Sequence, residues 1–257
     1  MHIKNKHVVI TGANRGIGLG LAEAFAELNC HLHLIIRQSD SKLIQRLKHK
    51  GAASVKEWVY DLSDSQQVEE AITHLQKEKV DILINNAGAL TGGLIEEQNP
   101  EDVKNMMQTN LLTVIRLSQA LIPQMIQQRA GKIINNASVS SIMHFPGAST
   151  YAAAKSGVYA FTNCLELELK NTGVSTICLL TPGVKTRMFD DIARQYGKNL
   201  EVPQQAISVE KYAQEVIQAI ETDKKILYPS GATFVGLAIA QHLPRLFKYA
   251  ASKKFNR

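Results

Sequence analysis

The sequence predicts an α/β fold, a single domain built on one doubly wound parallel sheet, and two patterns carry that prediction. Short apolar runs alternate along the chain with longer segments of helical periodicity. Repeated β-α-β-α order argues for a parallel sheet with helices on both faces. Several of the apolar runs are nearly continuous in Val, Ile and Leu, as strands covered on both faces should be.

The predicted strands are His7–Thr11, His31–Ile36, Ser54–Tyr60, Asp81–Asn85, Lys132–Ala137, Val174–Leu180 and Lys225–Tyr228. Helical spacing falls near 16–28, 40–50, 64–78, 100–128, 149–171 and 208–222. Asp64 suits a helix start because its carboxylate can accept from the unbonded amides of a first turn. Pro100 suits one because the amide it lacks would have had no partner there. The stretch from Lys185 to Val209 fits neither period and follows a strand end, which marks it as a candidate substrate lid. No linker or solenoid repeat divides the 257 residues, which are 45% hydrophobic and 20% charged, so one domain over 1–257 is expected.

Composition narrows the function classes. Cys30, Cys164 and Cys178 are isolated in apolar surroundings and read as buried free thiols in a reducing cytosol, so a cytoplasmic protein is expected. The eight histidines show no metal-ligand spacing, and no metal is expected. There is no apolar signal region before the first strand, and no apolar run near the ~20 residues that span a bilayer. The net charge of +6 is mild. Its basic residues form no single block and no aromatic-interleaved patch, so no nucleic-acid partner is expected.

The first strand runs into Thr11-Gly12-Ala13-Asn14-Arg15-Gly16-Ile17-Gly18 and then a helical segment. Glycines let the backbone turn sharply and approach a pyrophosphate, and a helix N-terminus points amides and partial positive charge at that anion. The spacing differs from G-x-G-x-x-G, yet its place between first strand and helix points to a dinucleotide. The second strand ends at Arg37 with no terminal Asp or Glu, although Asp40 follows soon after. An acidic residue there accepts from a ribose 2′-hydroxyl, whereas an Arg accommodates a 2′-phosphate. Arg15 is a second cation in reach of that place and Ser39 a hydroxyl, so NADP(H) is expected in preference to NAD(H).

Tyr151 and Lys155 lie four residues apart on a predicted helix and share one face. An ammonium beside a phenol favours the phenolate and is expected to pull the phenol pKa below about 10. That makes a proton donor and acceptor able to work near neutral pH. Ser138, at the end of the fifth strand, can donate to a substrate oxygen and polarise it. Ser140 and Ser141 compete with it for that role.

Thr11-Gly-x-x-x-Gly-Ile-Gly18, Asn85-Asn86-Ala87-Gly88, Ser138, Tyr151-x-x-x-Lys155 and Pro182-Gly183 stand in an order and spacing that resemble the short-chain dehydrogenase/reductase family. Ser138 lies thirteen residues before Tyr151, as that family's serine does. The resemblance covers His7 to about Tyr228 and implies a Rossmann-type fold with hydride transfer between a nicotinamide and a carbonyl/alcohol pair. It makes Tyr151 the acid or base, and has Lys155 stabilise the phenolate and bind the nicotinamide ribose. Asn110 would help hold a water chain to the lysine, or else only hydrogen-bond backbone across the sheet. The cofactor would lie along Gly12, Asn14, Arg15, Gly16, Ile17 and Gly18. It would then pass Asn86, Ala87 and Gly88 at the adenosine ribose, and Pro182, Gly183, Val184 and Thr186 near the nicotinamide. Asp61, with Leu62 beside it, resembles the family's adenine contact, but Asp61 could instead cap the helix beginning near Asp64. Relatives of this type commonly assemble as homodimers or homotetramers through the long helices, here 100–128 and 149–171.

Two departures stand out. The family usually reads Pro-Gly-x-Val-x-Thr after the sixth strand, whereas Pro182-Gly183-Val184-Lys185-Thr186 is one residue shorter. Ala137 stands where a serine more often precedes the catalytic one. The tail from Gly231 to Arg257 is apolar at helical spacing, is interrupted by Pro244, and then mixes basic with apolar residues. It is expected to pack on its own domain or a sister subunit, with contact to an anionic membrane surface as the other reading. The expected function is reduction of an apolar or lipid-like ketone or aldehyde with NADPH. The alternatives are reduction of a carrier-bound 3-oxoacyl group and a non-catalytic regulator that senses nicotinamide state. Leu90, Leu94, Met143, Phe145, Met188 and Phe189 suggest an apolar substrate pocket, although core or lid packing explains them equally well.

Overall fold

The computed structural model describes residues 1–196, 206–253 and 255. Its strands are β1 (His7–Thr11), β2 (His31–Ile36), β3 (Ser54–Val59), β4 (Ile82–Asn85), β5 (Gly131–Asn136), β6 (Val174–Leu179) and β7 (Ile226–Leu227). All pair in parallel, in the order β3-β2-β1-β4-β5-β6-β7. The chain winds outward from β1 in one direction and from β4 in the other. The carboxyl ends of these two neighbouring strands therefore border a crevice.

Consecutive strand residues enter opposite cores. Val8 and Ile10 join one apolar cluster and Val9 the other, as do Ile82 and Ile84 against Leu83. This is why the strands read as unbroken apolar runs. The first cluster is closed by α1 (Gly16–Glu27), α2 (Ser41–His49) and α8 (Val209–Glu221), through Phe25, Leu47 and Val216. The second is closed by α3 (Ser65–Leu75), α5 (Thr113–Gln127) and α6 (Ser149–Glu168), through Ile72, Leu121 and Leu165. Each fully buried aliphatic side chain contributes about 1.5–3 kcal/mol.

The helix predicted over 100–128 is divided. α4 (Pro100–Met107) and α5 are joined by a π-helical turn over Gln108–Leu112. α4 starts at Pro100 as its missing amide suggested, and Asn99 caps it, accepting from the amides of Glu101 and Asp102. In the lid region, α7 spans Arg187–Tyr196, Val184 bridges Ile207, and 197–205 lie outside the described residues. The tail forms α9 (Gly231–His242) and α10 (Pro244–Lys253), with Pro244 opening the second helix at the position where its missing amide is tolerated. No helix among the described residues is long and apolar enough to cross a membrane. Cys30 and Cys178 are buried, and burial pushes their thiols up to about 11 and about 12. Cys164 departs from expectation: it is exposed, on the side of α6 turned away from the sheet.

Three histidines meet on β1 and β2. His7 stacks on His31 at 4.3 Å and lies 5.8 Å from His33. The Nδ1 atoms of His7 and His33 are buried with no hydrogen-bond partner among the described residues. Burial lowers the His33 imidazole to about 4, with Glu78 opposing and His7, Lys56 and His31 adding to the shift. A depressed pKa keeps the folded state neutral, so this stability is present above about 6.5 and is lost as pH falls toward 4. Unfolding free energies from urea titration should therefore drop between pH 7 and pH 4, by about 2–3 kcal/mol. His33→Leu should flatten that limb; an unchanged acid dependence in the variant would contradict the assignment.

Candidate active site

The glycine turn leaves β1 at the crevice. Gly12 and Gly16 have φ of 67° and 53°, a region that favours glycine. A Cβ on Gly18 would lie 2.1 Å from the Gly12 carbonyl oxygen. The turn can be this tight only without those side chains. α1 starts at Gly16, and Arg15 at its N-cap makes no side-chain cap bond. The first-turn amides that a cap would satisfy are left for an anion, which fits a pyrophosphate.

Hydrogen bonds tie this turn to the end of β4. The Thr11 hydroxyl accepts from the amides of Asn86 (2.9 Å) and Ala87 (2.8 Å), and Asn86 Nδ2 donates to the Thr11 carbonyl at 3.0 Å. A Cβ on Gly12 would lie 3.0 Å from Ala87 Cα, so the two loops touch through backbone. From Asn86 a polar chain crosses the carboxyl edge of the sheet. Asn136 Nδ2 donates to Asn86 Oδ1 at 3.1 Å, and the Thr181 hydroxyl donates to Asn136 Oδ1. The Thr181 proton being used there, Tyr212 donates its hydroxyl to Thr181 at 2.6 Å.

Lys155 is buried on α6, and its Nζ donates to the Asn136 carbonyl at 2.6 Å. It sits 5.8 Å from the centre of the Tyr151 ring. Ser138 is buried at the end of β5 and accepts from the Ser140 amide at 3.1 Å, and its hydroxyl is near enough to Tyr151 to favour the phenolate. Ser141, a competitor for its role, is occupied by the Lys155 carbonyl at 2.8 Å. Gly88 lies between Asn110 and Lys155: a Cβ there would be 3.4 Å from Asn110 Oδ1 and 3.9 Å from Lys155 Nζ. The Asn110 amide grips the backbone of Ala89 with two bonds of 2.8 Å. Asn110 stands within the π-helical turn, a distortion common at functional sites.

The phenol departs from the expectation of a lowered pKa. Burial pushes Tyr151 up to about 12, and the nearby Ser138 hydroxyl offsets this only in part. Burial also lowers Lys155 to about 8. Desolvation acts on both groups and outweighs the pull of the ammonium on the phenol in the chain alone.

At the rim, Arg15 and Arg37 are both exposed and neither pairs with a carboxylate among the described residues. Ser39 is already engaged with Glu57, whose other oxygen accepts from the Asp40 amide at 3.1 Å. Asp40 caps α2. Asp61 does not cap α3. Asp64 does, while Asp61 accepts from the amide and hydroxyl of Ser63 at 2.9 and 2.7 Å. The carbonyl of buried Leu62 accepts from Thr113 at 2.9 Å. Pro182 and Gly183 follow β6, and buried Val184 continues into the bridge with Ile207. Thr186 packs on the glycine turn despite the shorter motif, its Cγ2 lying 3.2 Å from where a Gly16 Cβ would stand.

A family model described as short chain dehydrogenase matches residues 6–197. The chain belongs to the short-chain dehydrogenase/reductase family. It is 34% identical over 185 residues to the 3-oxoacyl-(acyl-carrier-protein) reductase FabG of Vibrio cholerae, covering 71% of this chain and 75% of that one. To dehydrogenase/reductase SDR family member 7B of Bos taurus it is 30% identical over 238 residues, 87% of this chain and 73% of the relative. Among solved structures, a short-chain dehydrogenase/reductase from Burkholderia phymatum in complex with NAD superposes with a TM-score of 0.82 at 25% identity, covering 93% of this chain and 94% of that one. A short-chain dehydrogenase from Sphingobium yanoikuyae in complex with NADPH gives 0.80 at 23% identity, over 98% and 97%.

In this short-chain dehydrogenase the motif reading missed Asn136, Thr181 and Tyr212. The available signal was Asn135-Asn136 closing an otherwise apolar strand, since a buried polar side chain needs partners. Asn136→Leu keeps the volume and leaves Asn86 Oδ1 without its donor and Thr181 without its acceptor. It should lower stability by about 1–3 kcal/mol, read as a fall in melting temperature, and Tyr212→Phe should lower it less. Equal melting temperatures for Asn136→Leu and the native chain would contradict the network.

Proposed function

We propose that this protein reduces an apolar ketone or aldehyde to an alcohol, with NADP(H) preferred over NAD(H). The convergence of Tyr151, Ser138 and buried Lys155, whose Nζ lies 5.8 Å from the Tyr151 ring centre, carries the reading. The nicotinamide supplies a hydride equivalent to the carbonyl carbon. Ser138 donates to the carbonyl oxygen and polarises it. Tyr151 holds its proton up to about pH 12, so at neutral pH it is in the acid form that a developing alkoxide needs. That protonation state suits reduction rather than alcohol oxidation. Lys155 stabilises the phenolate left behind and, with Tyr151, would hold the nicotinamide ribose. Asn110 keeps the Ala89 backbone, and with it Gly88, against the lysine.

The glycine turn from Gly12 to Gly18, including Asn14 and Ile17, would cradle the pyrophosphate. Arg37 at the end of β2 and Arg15 at the N-cap of α1, both exposed, support the NADP preference, because a cation there suits a 2′-phosphate. Asp61 and Leu62 would border the adenine, and Asn86 and Ala87 its ribose. Pro182 to Val184 and Thr186 would border the nicotinamide. Assembly as a homodimer or homotetramer is supported by Cys164 and Leu167, exposed on α6, and Ile126, exposed on α5. The FabG relatives favour a second reading, in which the ketone is a carrier-bound 3-oxoacyl group.

NADPH oxidation by the purified chain with a panel of aliphatic, aromatic and 3-oxoacyl ketones tests both readings. Turnover of apolar ketones is expected; activity confined to the 3-oxoacyl compound would select the second. Tyr151→Phe should reduce turnover at least about a thousandfold and weaken NADPH binding far less; near-native turnover would remove the acid role. Arg37→Ala should weaken NADPH far more than NADH, and equal losses would contradict the specificity.

A further inference from the structure

We infer that the outer face of α9 and α10 docks on an anionic lipid bilayer, as a surface contact without a spanning segment. The positive charge of the sequence is concentrated toward its end, and Arg245, Lys248 and Lys253 lie on α10 itself. Residues 224–257 hold seven of the 29 Lys and Arg and none of the 23 Asp and Glu. Residues 1–223 therefore carry 22 basic against 23 acidic side chains, and the tail alone accounts for the net charge of +6.

Large apolar side chains stand exposed among those cations. Phe234 and Val235 project from α9, Leu243 from its end, and Leu246 and Tyr249 from α10. Leu246, Tyr249 and Lys253 fall at a spacing that shares one helix face, and the Lys253 ammonium lies 4.6 Å over the Tyr249 ring. Exposed aliphatic and aromatic groups interleaved with basic ones suit the boundary between acyl chains and headgroups.

The helices are held to the domain from their other side. Phe247 of α10 meets Phe145 edge-on at 5.5 Å, and Gly236 of α9 lies against Met143. Leu237 and Ala240 are buried. The apolar face is thus presented by a fixed support.

Charge decides between occupants. A two-fold contact with a second copy would set one cationic face against its own image. Nucleic acid would match the charge but gives Val235, Leu243 and Leu246 nothing to bury into. An anionic bilayer accepts both the charge and the apolar groups.

Co-sedimentation of the full chain with vesicles tests this. It should pellet with mixed phosphatidylglycerol–phosphatidylcholine vesicles, stay in solution with phosphatidylcholine alone, and be released by high salt. The double variant Leu246→Glu/Tyr249→Glu, and separately Arg245→Glu, should each weaken binding, the double variant by at least about tenfold, with the native melting temperature kept. Failure of the native chain to pellet, equal pelleting with both lipids, or full binding by the double variant would overturn the inference. So would a light-scattering mass that halves in the double variant while vesicle binding is retained, which would assign the face to self-association. Tight binding to a DNA duplex without vesicle binding would assign it to nucleic acid.

Discussion

The bond from the Lys155 ammonium to the Asn136 carbonyl, 2.6 Å long, is the contact around which the site is arranged. A buried cation needs an acceptor, and here the acceptor is backbone at the end of a central strand. Asn136 serves twice. Its carbonyl fixes the lysine while its side chain joins Asn86 to Thr181. Through Asn86 and Thr11 the same residue reaches the glycine turn. The place for a cofactor phosphate and the place for proton transfer are therefore set by one hydrogen-bonded strip along the carboxyl edge of the sheet.

Burial then decides the chemistry of the two titrating groups. It keeps Tyr151 protonated and lowers Lys155 to about 8, so in the proposed reaction the pair would give up a proton and then hold the resulting charge. The same low-dielectric surroundings that make Lys155 dependent on Asn136 make its interaction with a nascent phenolate strong. Ser138, at the end of β5, would meet the same substrate oxygen as the phenol in the proposed reaction.

Much of this was legible in the chain. Strands were readable because both faces are covered, so Val8, Val9 and Ile10 are all apolar although they enter different cores. Tyr151 and Lys155 were readable because a helix repeats nearly every four residues. What was not legible depends on contacts between distant segments. The phenol pKa follows from burial, which spacing does not report. The Asn136 strip joins residues 50 and 45 apart. Ser39 looked free for a phosphate but is held by Glu57 on the neighbouring strand. The tail's exposure appears only once the fold shows what lies beneath it.

The central claim is that burial, and not the lysine, sets the protonation of Tyr151 in the chain without cofactor. An ultraviolet difference titration of the native chain against Tyr151→Phe measures it directly. The account predicts no tyrosinate signal assignable to Tyr151 from pH 6 up to about pH 10. A tyrosinate transition near neutral pH, present in the native chain and absent from the variant, would contradict it.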